Sequence, residues 1–240
     1  MALRVALILG AGPNVGINVA KAFAAQGYKE AIASRSRKDN EDTRQFFPVQ
    51  GDFGDPTSIE DIFATMTREL GHPSVVVYNG TFLFDCSNLT HATTLKQQIS
   101  AFQRDNNINI VSTYTATQFA IRSFSVLPPE SSKTFIYTGN KQHLMVIPPL
   151  LSQGVGFTSR TSANLTEARY MAPNKQDNQH TFNSAISGSA HGSFYTELAA
   201  QQSQGPWNAT FVKNQGYVAF SENVMSATSV DRSQVCQTSS

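Results

Sequence analysis

The sequence predicts a single α/β domain built as a doubly wound parallel sheet with helices on both faces. Three observations predict it. Val5-Ala6-Leu7-Ile8-Leu9 is a continuous apolar run ending at Gly10, as expected of a strand buried on both faces. A glycine-rich segment, Gly10 to Gly16, joins that run to a stretch with helical apolar spacing. Strand-like and helix-like segments then alternate through at least five strands, the pattern of a parallel sheet with right-handed crossovers.

The elements follow in order. Val15, Val19, Ala20 and Phe23 recur at helical spacing from Val15 to Gln26, and Gly27 supplies the stop. Glu30 to Ala33 reads as a short second strand and Phe47 to Gln50 as a third, whose Pro48 argues against a regular interior strand. Pro56 and Thr57 open a second helix, with Ile59, Ile62, Phe63, Met66 and Leu70 on one stripe and Gly71 closing it. Ser74 to Tyr78 is a fourth strand, Thr93 to Phe124 a long helical stretch, and Thr134 to Tyr137 a fifth strand. Phe157 to Met171 reads as helical. Asn174 to Gly192 is polar and lacks a clean strand, although this fold usually places one there; Gly216 to Phe220 reads as a final strand. The expected domain is 1–222, followed by a flexible Ser/Thr-rich tail, 223–240.

Composition narrows the partners. With 40% hydrophobic and 15% charged residues and a net charge of +1, nothing favours nucleic acid or an anionic membrane. No apolar run approaches the roughly 20 residues of a membrane-spanning helix. Cys86 and Cys236 imply no disulfide framework, and the apolar start is read as a strand rather than a leader, so a cytoplasmic location is expected. The histidines lack metal-ligand spacing, and no metal is expected.

Gly10-Ala11-Gly12-Pro13-Asn14-Val15-Gly16 lies where a strand turns into a helix. Glycine there allows a tight turn and lets the backbone approach a pyrophosphate, which the exposed N–H groups and helix dipole favour. The spacing, Gly12-x-x-x-Gly16 with Gly10 two residues earlier, resembles that of the short-chain dehydrogenase/reductase family, a Rossmann-like fold. Asn18 stands where many members have a further glycine, so a slightly wider helix-to-strand contact is expected.

The resemblance extends over about residues 3 to 140, and it implies a cofactor site at Gly10, Gly12, Asn14, Val15, Gly16, Ser34, Arg35, Asp52, Phe53, Asn79 and Gly80. Arg35 stands after the second strand, where NAD-preferring members carry an acid. With Ser34, and with Arg37 beside them, it offers donors suited to a 2′-phosphate, so NADP(H) is expected. Asp52 matches the carboxylate that contacts adenine, and Tyr78-Asn79-Gly80 resembles the turn beside the cofactor ribose. Asn109 matches the helix asparagine that supports the active-site water chain, and Thr117-Gln118 keeps the same register. The resemblance further implies a homodimer or homotetramer through the fourth and fifth helices, and a small-molecule substrate.

The family's Ser-Tyr-Lys chemistry is where this chain departs. Thr138 can stand in for the Ser hydroxyl, but Ser152 to Phe157 offers neither Tyr nor Lys, and Arg160 is a poor proton shuttle. Tyr137 and Lys141 have the Tyr-x-x-x-Lys spacing, yet Tyr137 sits on a strand, where four residues do not bring two side chains together. Phe135 to Asn140, Ala185 to Leu198 and Gly205 to Phe220 resemble a fungal branch whose members keep a Lys where this chain has Phe157. Candidate catalytic residues are therefore Asn109, Thr138, Lys141 and His143, with Tyr114 as another acid.

Three readings survive at this point. The preferred one is an NADP(H)-dependent reductase of a carbonyl or imine with an atypical proton donor, because the adenosine half of the site looks intact. The alternatives are a cyclase or isomerase on the same scaffold, and a silent NADP-binding protein.

Overall fold

Six parallel strands form the main sheet, in the order β3-β2-β1-β4-β5-β6. The computed structural model describes residues 4–36, 43–80, 95–139, 169–171, 174–175, 186–206 and 209–219. The strands are β1 (Val5–Leu9), β2 (Lys29–Ser34), β3 (Phe47–Gln50), β4 (Val75–Tyr78), β5 (Thr134–Tyr137) and β6 (Arg169–Met171). The helices are α1 (Val15–Ala25), α2 (Ser58–Leu70), α3 (Leu95–Asn106), α4 (Ser112–Ser125) and α5 (Gly188–Ala200).

The period-two alternation of β1 divides the core. Val5, Leu7 and Leu9 point to one face, where they meet Ile59, Ile62 and Met66 of α2 and Ala116 and Ala120 of α4. Ala6 and Ile8 point to the other, against Val19, Ala20 and Phe23 of α1 and Phe194, Tyr195 and Leu198 of α5. Both faces being covered is why β1 reads as unbroken apolar sequence. Pro48 is accommodated because, among the described residues, β3 pairs only with β2 and forms the sheet edge, where a missing N–H leaves no ladder bond unmade.

Helix ends follow local chemistry. Gly27, at φ 78°, ends α1 with its N–H donating to the Ala24 carbonyl at 2.8 Å. The Asp55 carboxylate accepts the Thr57 N–H and hydroxyl just before α2, at 3.0 and 2.7 Å. Glu60 and Asp61 follow in the first turn, where negative charge complements the helix dipole.

The structure revises three expectations. The long helical stretch from Thr93 is α3 and α4 joined by a π-helical turn, Asn107–Val111. The wider turn is invisible to apolar spacing, and it is held by the Tyr78 hydroxyl, which donates to the Ile108 carbonyl. The helical reading of Phe157 to Met171 fails at its end, since Arg169–Met171 is β6, parallel to β5. The sixth strand therefore lies before 174–192. Asn174–Lys175 (β7) belongs instead to a small second sheet, parallel to β8 (Thr210–Val212), and β8 runs antiparallel to β9 (Gly216–Tyr217). The expected final strand is thus β9, outside the main sheet.

Asn18 faces α5 at Gly188 and Gly192, where an added Cβ would lie 2.7 Å from Asn18 Nδ2 and 2.8 Å from the Asn18 carbonyl oxygen. Gly188 and Gly192 of α5, with Ala22 of α1 against Gly192, allow this close approach. Among the described residues, no helix is long and apolar enough to cross a membrane.

Candidate active site

The described candidates Gly10, Gly12, Gly16, Asn79, Gly80 and Thr138 lie at the carboxyl edge of the main sheet, around the switch point between β1 and β4, where open α/β sheets place their ligands. Gly10 closes β1 at φ 99°, and a Cβ there would lie 2.6 Å from the Asn79 backbone and from the Gly80 nitrogen. Asn79 seals this junction: its N–H donates to the Leu9 carbonyl at 2.7 Å and its Nδ2 to the Gly10 carbonyl at 3.0 Å. Gly16 packs equally closely, with a Cβ position 2.4 Å from the Gly10 carbonyl oxygen.

Gly12 is different. Its φ lies outside the left-handed region, and a Cβ built on it meets nothing within 4 Å. Neither backbone strain nor packing within the protein requires glycine here. The residue leaves open a cradle next to the start of α1, where the helix dipole favours an anion. The Gly10 and Ala11 N–H groups donate to the Ala33 carbonyl, that of Gly12 to the Gly10 carbonyl and that of Ile17 to the Gly12 carbonyl, so the loop fits a pyrophosphate through its open space and the helix dipole. The Asn14 side chain takes no part in that cradle: its Nδ2 donates to the Ile186 carbonyl at 2.9 Å, and its Oδ1 accepts the Gly188 N–H at 3.0 Å. Val15 packs against the core.

At the other end, Ser34 donates its hydroxyl to the Ser36 carbonyl at 2.8 Å, while Arg35 is exposed. Arg35 lies near enough to Asp52 for its charge to be felt there. Partial burial works against ionisation of Asp52, but the Gly54 N–H, the Arg104 guanidinium and Arg35 together hold its carboxyl below the ordinary value. Arg104 of α3 donates to both carboxylate oxygens, at 2.8 and 3.0 Å. Gly54 makes room for it, since a Cβ there would sit 2.3 Å from an Arg104 nitrogen. The Phe53 ring is buried 5.6 Å from that of Tyr78, and Gly80 lies against both rings.

Of the catalytic candidates, Asn109 is buried in the π-helical turn, where its Nδ2 donates to the Asp105 carbonyl at 2.9 Å. Thr138 is half-buried just beyond β5, its N–H donating to the Tyr78 carbonyl at 2.9 Å. Its hydroxyl oxygen lies 2.7 Å from that of Tyr195 on α5. Tyr137 is a core residue, 2% exposed and stacked at 6.0 Å on Tyr78, on the opposite face of the sheet from Tyr195. Tyr114 is 63% exposed on α4. Arg37, Lys141, His143, Phe157 and Arg160 lie outside the described residues. No metal-binding cluster occurs among the described residues. Sequence reasoning missed Arg104 and Tyr195. Arg104 pairs with a carboxylate 52 positions away, a relation with no sequence signature. Tyr195 lies within the recognised Ala185 to Leu198 segment but carries no motif of its own.

Comparison with known proteins agrees with this geometry. The sequence profile of the family described as short chain dehydrogenase matches residues 4–133. The chain is 37% identical over 237 residues to the short chain dehydrogenase/reductase dmxR12 of Cryptosporiopsis sp. (strain 8999), covering 92% of this chain and 96% of the relative. Among solved structures, a short-chain dehydrogenase/reductase from Serratia marcescens matches with TM-score 0.64 at 16% identity, over 87% of this chain and 95% of that one. A 3-ketoacyl-(acyl-carrier-protein) reductase from Brucella melitensis, complexed with NADH, matches with TM-score 0.60 at 19% identity, over 72% and 74%.

Proposed function

The chain belongs to the short-chain dehydrogenase/reductase family of nicotinamide-dependent oxidoreductases, and on that premise we propose that it uses NADPH to reduce a carbonyl or imine of a small organic substrate. The open cradle at Gly12 carries this reading. Gly10 and Gly16 are needed by the protein's own packing, whereas Gly12 is explained by a ligand whose phosphates approach the backbone.

The preference for NADPH is supported by the end of β2. Arg35 stands at the position where NAD-preferring members carry an acid, and it presents an exposed planar fork of donors. With Arg104 neutralising Asp52, the net charge of this corner favours an anion. Ser34, whose hydroxyl hydrogen is engaged by Ser36, retains only acceptor capacity, so Arg35 is the principal contact.

Within this reading the glycine loop and first turn of α1 hold the pyrophosphate, and Asn79 keeps the β1 and β4 ends in register beside it. When bound, the nicotinamide supplies the hydride. Thr138 orients the substrate oxygen by hydrogen bonding, and Asn109, donating to the Asp105 carbonyl, holds the π-helical turn. The exposed apolar residues Ile99 and Phe102 of α3 and Val111 and Tyr114 around α4 support assembly of identical subunits through these helices.

Equilibrium titration with NADPH and, separately, NADH tests the proposal. Tighter binding of NADPH, lost in Arg35→Ala while NADH binding is retained, is the expected result. Binding of neither nucleotide overturns it.

A further inference from the structure

Tyr195 is fully buried, yet its hydroxyl reaches the carboxyl edge of the sheet. It sits on α5 among Ile136, Phe194 and Phe211, with the His191 ring edge-on at 5.7 Å. Among the described residues, the partner of its hydroxyl is the Thr138 hydroxyl, at 2.7 Å.

The direction of this hydrogen bond follows from burial. Burial pushes the Tyr195 phenol well above its ordinary value; the Thr138 hydrogen bond opposes that shift, and Tyr137 adds to it. Tyr195 therefore stays protonated and holds one hydrogen that must be donated. Leaving a buried donor unmade costs about 1–3 kcal/mol, more than a half-exposed threonine loses by turning. A bond in which Tyr195 donates and Thr138 accepts is therefore the favoured one, and it directs the Thr138 hydrogen away from Tyr195. Thr138 stands one residue beyond β5, anchored through its N–H to Tyr78, the neighbour of Asn79 in the β1–β4 junction. An accepted hydrogen bond also polarises a hydroxyl and makes it a better donor.

We propose that Tyr195 is a positioning residue that makes Thr138 a one-way hydrogen-bond donor, selecting a substrate with a carbonyl oxygen over a cationic imine. A carbonyl oxygen accepts from Thr138, and more strongly as it gains negative charge. An iminium nitrogen has no lone pair to accept, so it gains nothing from the same donor. The inference rests on the reductase reading above and narrows its substrate class. Tyr195 transfers no proton in this scheme.

Two measurements test it. Neutron diffraction from deuterium-exchanged crystals locates the shared hydrogen without any substrate. Deuterium on Tyr195 Oη directed at Thr138 Oγ1 is expected, and deuterium on Thr138 directed at Tyr195 overturns the proposal. The second measurement follows NADPH oxidation with acetophenone and benzil as carbonyl probes and dihydroisoquinoline, protonated, as the iminium probe. Tyr195→Phe should leave NADPH affinity unchanged and lower kcat on the carbonyl probes about tenfold, with little change in KM. Thr138→Val should lower it about a hundredfold, Thr138→Ser should restore most of it, and the Tyr195→Phe/Thr138→Val double variant should be no worse than Thr138→Val. Turnover of the iminium, if present, should be indifferent to Tyr195→Phe. A parent active on a carbonyl whose Tyr195→Phe variant keeps its kcat overturns this proposal alone. A parent that turns over the iminium and neither ketone also overturns it. A parent that oxidises NADPH with none of the probes overturns the reductase reading, and this proposal with it.

Discussion

The Asn14 carboxamide interlocks with the first turn of α5, accepting the Gly188 N–H at 3.0 Å while donating to the Ile186 carbonyl at 2.9 Å. A residue of the glycine loop therefore caps a helix 174 positions later in the chain. Ser187 completes the cap by accepting the Ala190 N–H at 3.3 Å. Through α5, the loop that would hold phosphate and the tyrosine that holds Thr138 share one rigid connection.

Breaking this interlock should lower stability. Asn14→Ala leaves the Gly188 N–H without its acceptor and is expected to cost about 1–2 kcal/mol. Gly188→Ala should cost more, because its Cβ would lie 2.2 Å from the Asn14 carbonyl oxygen, a backbone atom that cannot swing aside. Chemical denaturation measures both. Equal stability of Gly188→Ala and the parent would show that α1 and α5 are not packed as described.

Arg104 should act on nucleotide choice without touching the nucleotide. Removing it in Arg104→Ala exposes the Asp52 charge to Arg35 and to any phosphate beside it, so NADPH affinity should fall several-fold and NADH affinity less. Because Asp52 and Arg104 are partly exposed, the difference should shrink at high salt. Carbon NMR of the Asp52 carboxyl should show its pKa rising in the variant, since the Arg104 contribution is lost. A selectivity ratio that does not move with Arg104 would refute this.

How far the site was legible depended on how local each relation is. The placement of Gly10, Gly12 and Gly16, Arg35 and Asp52 at strand ends was legible because a strand end and its following turn fix them within a few residues. The relations of Arg104 to Asp52 and Tyr195 to Thr138 were not, because each joins residues more than fifty positions apart through packing alone. In the fold, β1, β4 and β5 announced themselves through apolar content. The π-helical turn left no trace in spacing, as one extra residue in a turn only shifts the phase of an apolar stripe. Arg169–Met171 was misread because three residues carry no usable periodicity, and its strand character comes from pairing with β5.

The outer face of α3 and α4 should prove to be a subunit contact. Ile99, Phe102, Val111 and Tyr114 are between 39% and 63% exposed. Ile99 and Phe102 are three positions apart on α3, so they share a face. Phe102→Glu and Tyr114→Glu, singly and together, should shift the mass measured by light scattering from oligomer to monomer. Charge buried in such a contact has no partner, and its cost would exceed what a modest interface supplies. A parent that is monomeric at micromolar concentration would remove this expectation.

Glu30 gives the protein a pH dependence unrelated to the active site. It is 6% exposed on β2, its Oε1 has no hydrogen-bond partner among the described residues, and it sits opposite Ala6 in the sheet. Burial pushes its pKa from 4.5 to about 7, partly opposed by its own backbone N–H. Because the folded value is raised, the neutral form favours the native state. The stability it contributes is fully present below about pH 4.5 and is lost as pH rises through about 7. Glu30→Gln keeps the shape without the ionisation. It should be near parent stability at pH 4.5 and more stable at pH 8, by on the order of 2–3 kcal/mol. Denaturant midpoints at the two pH values decide the matter: an identical difference at both would mean that Glu30 ionises in the native state as freely as in the unfolded chain.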